Sequence, residues 1–351
     1  MTESTFIHTQ QELEQLVELQ EHERQWFTQA TAEALPFMAS RYYASLIDRE
    51  DPGDPIRAQI VPRLEECSEK MGETKDPQME YRYSPHPALV HRYYSRAALI
   101  VTGTCTSYCR HCFRRRLTGR EKTPISKEQV ETVSRYLADH QEVKELLITG
   151  GDPLTLSDSA LDSLISRIRE KRRDLILRIC TRAVVTYPMR VTDSLIGILK
   201  KHSTAPMYLM TQFNHPREIT KESTQAVARF VDNGFPAMNQ SVLLRGVNDD
   251  AQVLSDLCNK LVAIRVKPYY LFNGDMVSGT GHLRLPLSEA IQLEQELRGR
   301  LSGLAMPVVA IDLPHGGGKV PIGAPYYRGE QERGQHLFVT VDGNEIVYTD
   351  P

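Results

Sequence analysis

The stretch GTCTSYCRHCFRRRLTG, residues 103–119, places Cys105, Cys109 and Cys112 within eight positions. Half of the chain's six cysteines are here, spaced C-x3-C-x2-C, and Arg114, Arg115 and Arg116 follow directly. Three thiolates on one loop suit three irons of a [4Fe–4S] cluster and leave the fourth iron without a protein ligand. A structural zinc site normally takes four protein ligands. His111 is the nearest fourth candidate, but it adjoins Cys112 and is poorly placed to share one ion with it.

Two other stretches have chemical character. DLPHGGGKVP, residues 312–321, is not a phosphate-binding Walker loop, because Leu313 replaces the required first glycine and Val320 the Ser or Thr after the lysine. A lone Gly-Gly-Gly-Lys is more often a flexible turn with a solvated lysine. Here it follows a β-like run, where the amine of Lys319 could form a Schiff base. LITGGDPL, residues 147–154, also ends a β-like run, and its paired glycines let backbone approach a ligand closely. Taken alone, it reads equally well as a tight strand-to-loop turn.

The elements that must position these residues read as parallel βα units. Short apolar runs recur at 97–103, 145–151, 175–181, 207–213, 240–246, 266–272 and 307–313, with amphipathic segments such as SKEQVETVSRYLADH between them. Six or seven such units predict an α/β fold, a partial (β/α)6-type barrel whose chemistry gathers at the C-terminal strand ends. The cysteine loop, TGGDPL, TQFNHP, NGD and DLPHGGGK all fall there. The expected division is a mostly helical region over 1–94, the barrel over 95–314, and the lysine loop with a C-terminal hairpin over 315–351. Residues 8–50 read as helical, and HLFVTVDGNEIVYTDP as a hairpin around Asp342-Gly343.

Composition sets outer limits. With 351 residues, 40% hydrophobic and 25% charged, the chain has ample apolar surface for a core. A net charge of −3 gives no electrostatic case for nucleic acid or a membrane surface. The first twenty residues have neither a basic n-region nor an apolar h-region, and no stretch approaches the roughly 20 apolar residues of a membrane span. A cytoplasmic location is expected, and in that reducing setting clustered thiols argue for metal or redox chemistry over disulfides.

CTSYCRHC after the first barrel run resembles the signature of the radical S-adenosylmethionine superfamily. The resemblance implies that Cys105, Cys109 and Cys112 hold a [4Fe–4S] cluster, whose open iron binds S-adenosylmethionine (SAM) for reduction to a 5′-deoxyadenosyl radical. It also implies that Gly150, Gly151 and Asp152 receive the methionine end of SAM. PHGGGKVP narrows the resemblance to the lysine 2,3-aminomutase family, in its short form without the C-terminal zinc extension. HRYYSR, YCRHCFRRR, TQFNHP, NQSVLLRGVND, KPYYLFNGD and PVVAIDLP match in order, over about residues 85–325. His315 replaces the family's first glycine, Gln212 stands where members often have histidine, and Asp250 stands where larger members have a zinc cysteine.

That resemblance assigns further roles. Lys319 is the pyridoxal 5′-phosphate (PLP) lysine, Arg92, Tyr93 and Arg96 contact PLP, and Gln240 contacts a cofactor. Arg114 pairs with the substrate α-carboxylate. Asp275 and Asp312 match the two aspartates that lysine-specific members present to the ε-ammonium, where glutamate-specific members carry a lysine and an asparagine. Two carboxylates stabilise an ammonium and repel a side-chain carboxylate. The implied activity is the conversion of lysine to β-lysine, with an electron donor such as flavodoxin or ferredoxin and a homo-oligomer left open. The alternatives are an aminomutase for arginine, ornithine or glutamate, a cluster-bearing electron-transfer or regulatory protein without catalysis, and a zinc-bound interaction module.

Overall fold

The computed structural model describes residues 4–120 and 123–350. The N-terminal part contains a two-stranded ladder, β1 (Phe6–Ile7) with β2 (Ala39–Ser40), and four short helices: α1 (Gln10–Glu14), α2 (Glu21–Gln29), α3 (Arg41–Ala44) and α4 (Arg57–Ile60). The helical reading of 8–50 is therefore only partly right. Thr9, Gln20 and Ser40 each start a separate short helix in extended backbone. The apolar residues of this segment still go inward: Leu13 on α1, and Val17 and Leu19 in the irregular chain after it, are buried in the main core.

The centre is a nine-stranded sheet curled into a half-barrel. Its strands are β3 (Leu89–Tyr93), β4 (Arg96–Ile100), β5 (Glu145–Thr149), β6 (Ile176–Cys180), β7 (Met207–Thr211), β8 (Ala237–Val242), β9 (Val266–Phe272), β10 (Val308–Leu313) and β11 (Gly318–Pro321). β4 through β10 run parallel in sequence order, and β3 and β11 add an antiparallel strand at each edge. All seven expected strand runs are present. The run at 240–246 is displaced: β8 ends at Val242, while Leu243 and Leu244 continue into a loop where Asn248 Oδ1 accepts from Leu244 N.

The crossovers carry α5 (Lys127–Asp139), α6 (Asp158–Lys171), α7 (Ala183–Thr186) with α8 (Asp193–Lys201), α9 (Lys221–Val231), α10 (Ala251–Ala263) and α11 (Leu287–Arg300). They form because apolar residues recur at helical spacing behind a cap. On α6, Ser157 caps the helix, and Leu161, Leu164, Ile165 and Ile168 are buried against the sheet. Strand alternation separates core from site. On β5, Leu146 and Ile148 go into the core under the helices, whereas Leu147 and Thr149 line a cavity on the other face. A meander of β12 (Tyr327–Glu332), β13 (Gln335–Val339) and β14 (Glu345–Thr349) follows, and its second turn holds the expected Asp342-Gly343 with Gly343 at φ 83°. Among the described residues, no helix is long and apolar enough to cross a membrane.

Candidate active site

The cavity of about 390 Å³ inside the half-barrel is lined by Cys105, Cys109, Cys112, Arg92, Tyr93, Arg96, Arg114, Gly150, Gly151, Asp152, Gln240, Asp275, Asp312 and Lys319. The structure thus brings every nominated residue to one space, from seven strands or the loops that follow them.

The three thiols sit on the loop after β4, which is fixed by backbone contacts from elsewhere. Tyr108 N donates to Met38 O and Arg110 N to Gln59 O, both at 2.8 Å, and Gly119 N closes the loop on Gly103 O. Burial, with the neighbouring thiols, pushes Cys105 up from its ordinary value. Burial, with the charge of Arg182, likewise pushes His111 well below its ordinary value. Its Nε2 meets Gln212 Nε2 at 3.0 Å, so the glutamine that departs from the family pattern touches the histidine of the cysteine motif.

The basic run behind the cysteines is an ion-pair frame. Arg110 and Glu66 are both fully buried and paired, Nη2 to Oε2 at 2.5 Å and Nε to Oε1 at 2.8 Å. Arg115 joins the same Glu66 Oε2 at 2.8 Å. Arg114 forks onto Glu80 through Nε and Nη2 at 3.0 and 2.7 Å, and Arg116 reaches the other Glu80 oxygen at 2.7 Å. Burial works against the charge on Glu80, but the two guanidiniums outweigh it and hold its carboxyl down to about 2. Arg114 Nη1 also meets Thr149 Oγ1 at 3.3 Å.

Gly150 and Gly151 are required by close backbone approach. Gly150 has φ +129°, and a Cβ there would overlap Thr102 O; one on Gly151 would overlap Thr104 O. The glycines let this loop lie on the cysteine loop, with Gly151 N donating to Thr102 O and Asp152 N to Thr104 O. Gly150→Ala is expected to cost at least about 1–3 kcal/mol of backbone strain. Its iron and sulfide content after anaerobic reconstitution should fall with its melting temperature.

The carboxylate of Asp152 lines the cavity but has partners of its own. It is nearly fully buried, and its oxygens accept from Thr181 Oγ1 and the amides of Leu154, Arg182 and Ala183. These donors commit it to bracing the loops after β5 and β6.

Lys319 lies on β11, a strand and not the flexible turn that its glycines suggest. In the ladder of β10 with β11, Asp312 stands directly opposite Lys319, and Nζ reaches Asp312 Oδ2 at 3.0 Å. The ammonium also lies 4.0 Å from the Phe272 ring centroid. Its backbone N–H donates to Tyr93 OH at 3.1 Å. Arg92 donates to Gly316 O and stacks near the Tyr83 and Tyr93 rings, and Arg96 covers the Tyr93 ring at 4.0 Å. Asp275 accepts from Gln78 Nε2 at 3.0 Å. Its burial, reinforced by the charge of Asp312, pushes the carboxyl up to about 6.

The donor set fits the groups that this chemistry needs. Three thiols share one cavity wall, and an amine-bearing lysine lies with Arg92, Arg96 and Tyr93 on another part of it. Arg92 Nη1, His111 Nδ1 and Thr211 Oγ1 line the same cavity, buried and without a hydrogen-bond partner among the described residues. Such groups are costly to leave unmet and suit a polar ligand. Glu66, Glu80, Gln78 and Arg182 are contributors that the sequence reading passed over. Only Arg182 carried a local signal, since it follows the C-terminal end of β6.

Residues 99–257 match the Radical SAM superfamily, so the half-barrel and its three-thiol loop are those of a radical SAM enzyme. The chain is 40% identical over 345 residues to the L-lysine 2,3-aminomutase of Clostridium subterminale, covering 98% of this chain and 82% of that protein. It is 42% identical over 314 residues to a putative L-lysine 2,3-aminomutase of Aquifex aeolicus, covering 89% and 84%. It is also 39% identical over 311 residues to a glutamate 2,3-aminomutase of Clostridioides difficile, covering 89% and 73%. The chain belongs to the lysine 2,3-aminomutase family of radical SAM enzymes, which are isomerases.

Proposed function

We propose that this enzyme moves the amino group of lysine from C2 to C3, giving β-lysine, with a [4Fe–4S] cluster, SAM and PLP. The observation that carries the reading is the grouping of Asp312, Lys319 and Asp275 in the cavity that also holds the three thiols. Bound there, the cluster and SAM supply a hydrogen-abstracting radical, and PLP supplies a π-system that stabilises the migrating nitrogen.

The residues of the chain do the placing. Lys319 offers its amine to PLP, with Arg92, Arg96 and Tyr93 beside it to meet phosphate and ring. Arginine suits phosphate because its planar fork donates two bonds at once. Asp312 holds the ammonium of Lys319 at 3.0 Å, and with PLP held by Lys319 it would be free to accept the ε-ammonium of the substrate. Asp275 supplies the second carboxylate, and the amide of Gln78 holds the place that an ammonium would take. Arg114 meets the α-carboxylate. The half-barrel and the segment bearing Gln78 and Glu80 exclude water from the radical.

Two carboxylates around one ammonium favour lysine, and disfavour the side-chain carboxylate of glutamate. Turnover of lysine, arginine, ornithine and glutamate under anaerobic conditions tests this directly. Asp275→Ala and Asp312→Ala should each cost about 2–5 kcal/mol, roughly 30- to 4,000-fold in kcat/KM for lysine. If both leave lysine turnover unchanged, the substrate assignment fails.

The raised carboxyl of Asp275 gives the pH dependence a sign. Its ionised form, the one that binds an ammonium, is lost as pH falls through about 6. The KM for lysine should therefore rise steeply below about pH 6, and Asp275→Asn should flatten that rise. For stability the sign is opposite: the raised value favours the folded state at low pH, and that contribution fades as pH rises through about 6.

A further inference from the structure

We propose that Arg182 is a positioning residue of the iron–sulfur centre, which donates to the Cys109 sulfur and raises the potential at which the cluster accepts its electron. Arg182 follows β6, and its Nη1 lies 2.7 Å from Cys109 Sγ. The rest of the guanidinium is held on the other sides. Nε donates to Gln212 O at 3.1 Å, and Nη2 donates to Glu218 Oε1 at 2.7 Å, to Tyr43 OH at 3.0 Å and to Gln59 Oε1. Glu218 is itself fully buried, and its other oxygen accepts from the amides of Asn214 and His215. The donor is thus aimed before the cluster arrives, by residues from the N-terminal region and from the loop after β7. Cys112, in contrast, meets a neutral hydroxyl, Thr118 Oγ1 at 3.5 Å.

Reduction adds one electron to the cluster, supplied by a one-electron low-potential donor, and requires no proton. The added negative charge spreads over the sulfurs. A cationic N–H aimed at one of them stabilises the reduced state more than the oxidised one, so the potential rises. A partner beyond the ligating atoms commonly tunes a metal centre in this way. Glu218 offsets part of the guanidinium charge and therefore acts in the opposite sense. The inference concerns the cluster alone and does not depend on the substrate.

The test is an EPR-monitored redox titration of the full-length reconstituted protein with dithionite as donor, in the absence of SAM and lysine. Arg182→Gln should lower the ratio of reduced to oxidised cluster at the wild-type midpoint about tenfold, a shift of about 59 mV to more negative potential for one electron. Arg182→Lys, which keeps the charge, should recover part of that shift. Glu218→Gln should move the midpoint to more positive potential. A merely structural role would change iron content and melting temperature without this pair of opposite shifts. An unchanged midpoint in iron-replete Arg182→Gln overturns the proposal. If that variant fails to hold iron, Glu218→Gln decides: a positive shift supports the proposal, and an unchanged or negative one overturns it.

Discussion

Lys319→Ala should lose both turnover and the visible absorbance of bound pyridoxal, while the iron–sulfur absorbance and EPR signal persist. The lysine and the thiols belong to different walls of the cavity, so losing one need not disturb the other. Lys319 lies on β11, opposite Asp312, and the three thiols lie on the loop after β4. Losing a covalent anchor of this kind typically costs on the order of 10⁴-fold in rate. The substitution also removes the cation beside two carboxylates. The ammonium of Lys319 now opposes the upward shift of Asp275, so that carboxyl should titrate above about 6 in the variant. An absorbance titration with added PLP, followed by anaerobic assay, reads both consequences. A variant that retains the pyridoxal band and turns over lysine would remove Lys319 from the mechanism.

The largest expected loss of stability lies behind the site. Glu66 is buried under Arg110 and Arg115, and Arg110 is itself fully buried, stacked near the Trp26 ring and bound to the carbonyls of Leu35 and Pro36. Glu66→Ala leaves two guanidiniums there without their carboxylate. Removing one partner of a buried pair typically costs about 3–5 kcal/mol. The loss should appear in denaturant melts, and as cluster loss, because the same arginines brace the cysteine loop. The pH dependence follows from the sign of the shift. Burial opposes the charge of Glu66, yet the arginines hold its carboxyl below its ordinary value. Its stabilisation is therefore complete above the free-carboxyl value and is lost as pH falls through the depressed one. Wild-type protein should therefore unfold in acid at a lower pH than Glu66→Gln, with the stability gap between them narrowing as pH falls.

Much of this was legible in the sequence because it is local. The seven parallel strands announce themselves as apolar runs, and C-x3-C-x2-C is a spacing that nothing in ordinary packing requires. The edge strands were not legible. β3 and β11 are half exposed and polar, and β11 carries a glycine that suggests a turn; only its pairing with β10 makes it a strand. That pairing is what sets Lys319 against Asp312. The basic run after the cysteines could not be explained from its own residues either. Its partners Glu66 and Glu80 lie 34 to 49 positions away, in a segment whose helices are single turns. The partners of Asp152 were not legible either. An acid after two glycines suggests a ligand, and only the fold reveals that Thr181 and Arg182, just after β6, donate to its oxygens.

The measurement that tests the central claim most directly is an anaerobic assay of the reconstituted enzyme with lysine, SAM, PLP and a low-potential reductant, with chiral analysis of the product. The account predicts β-lysine, formed only when all three cofactor components are present, and no comparable turnover of glutamate. Enzyme with a full cluster and bound PLP that leaves lysine unchanged, or that converts glutamate in preference, would contradict it.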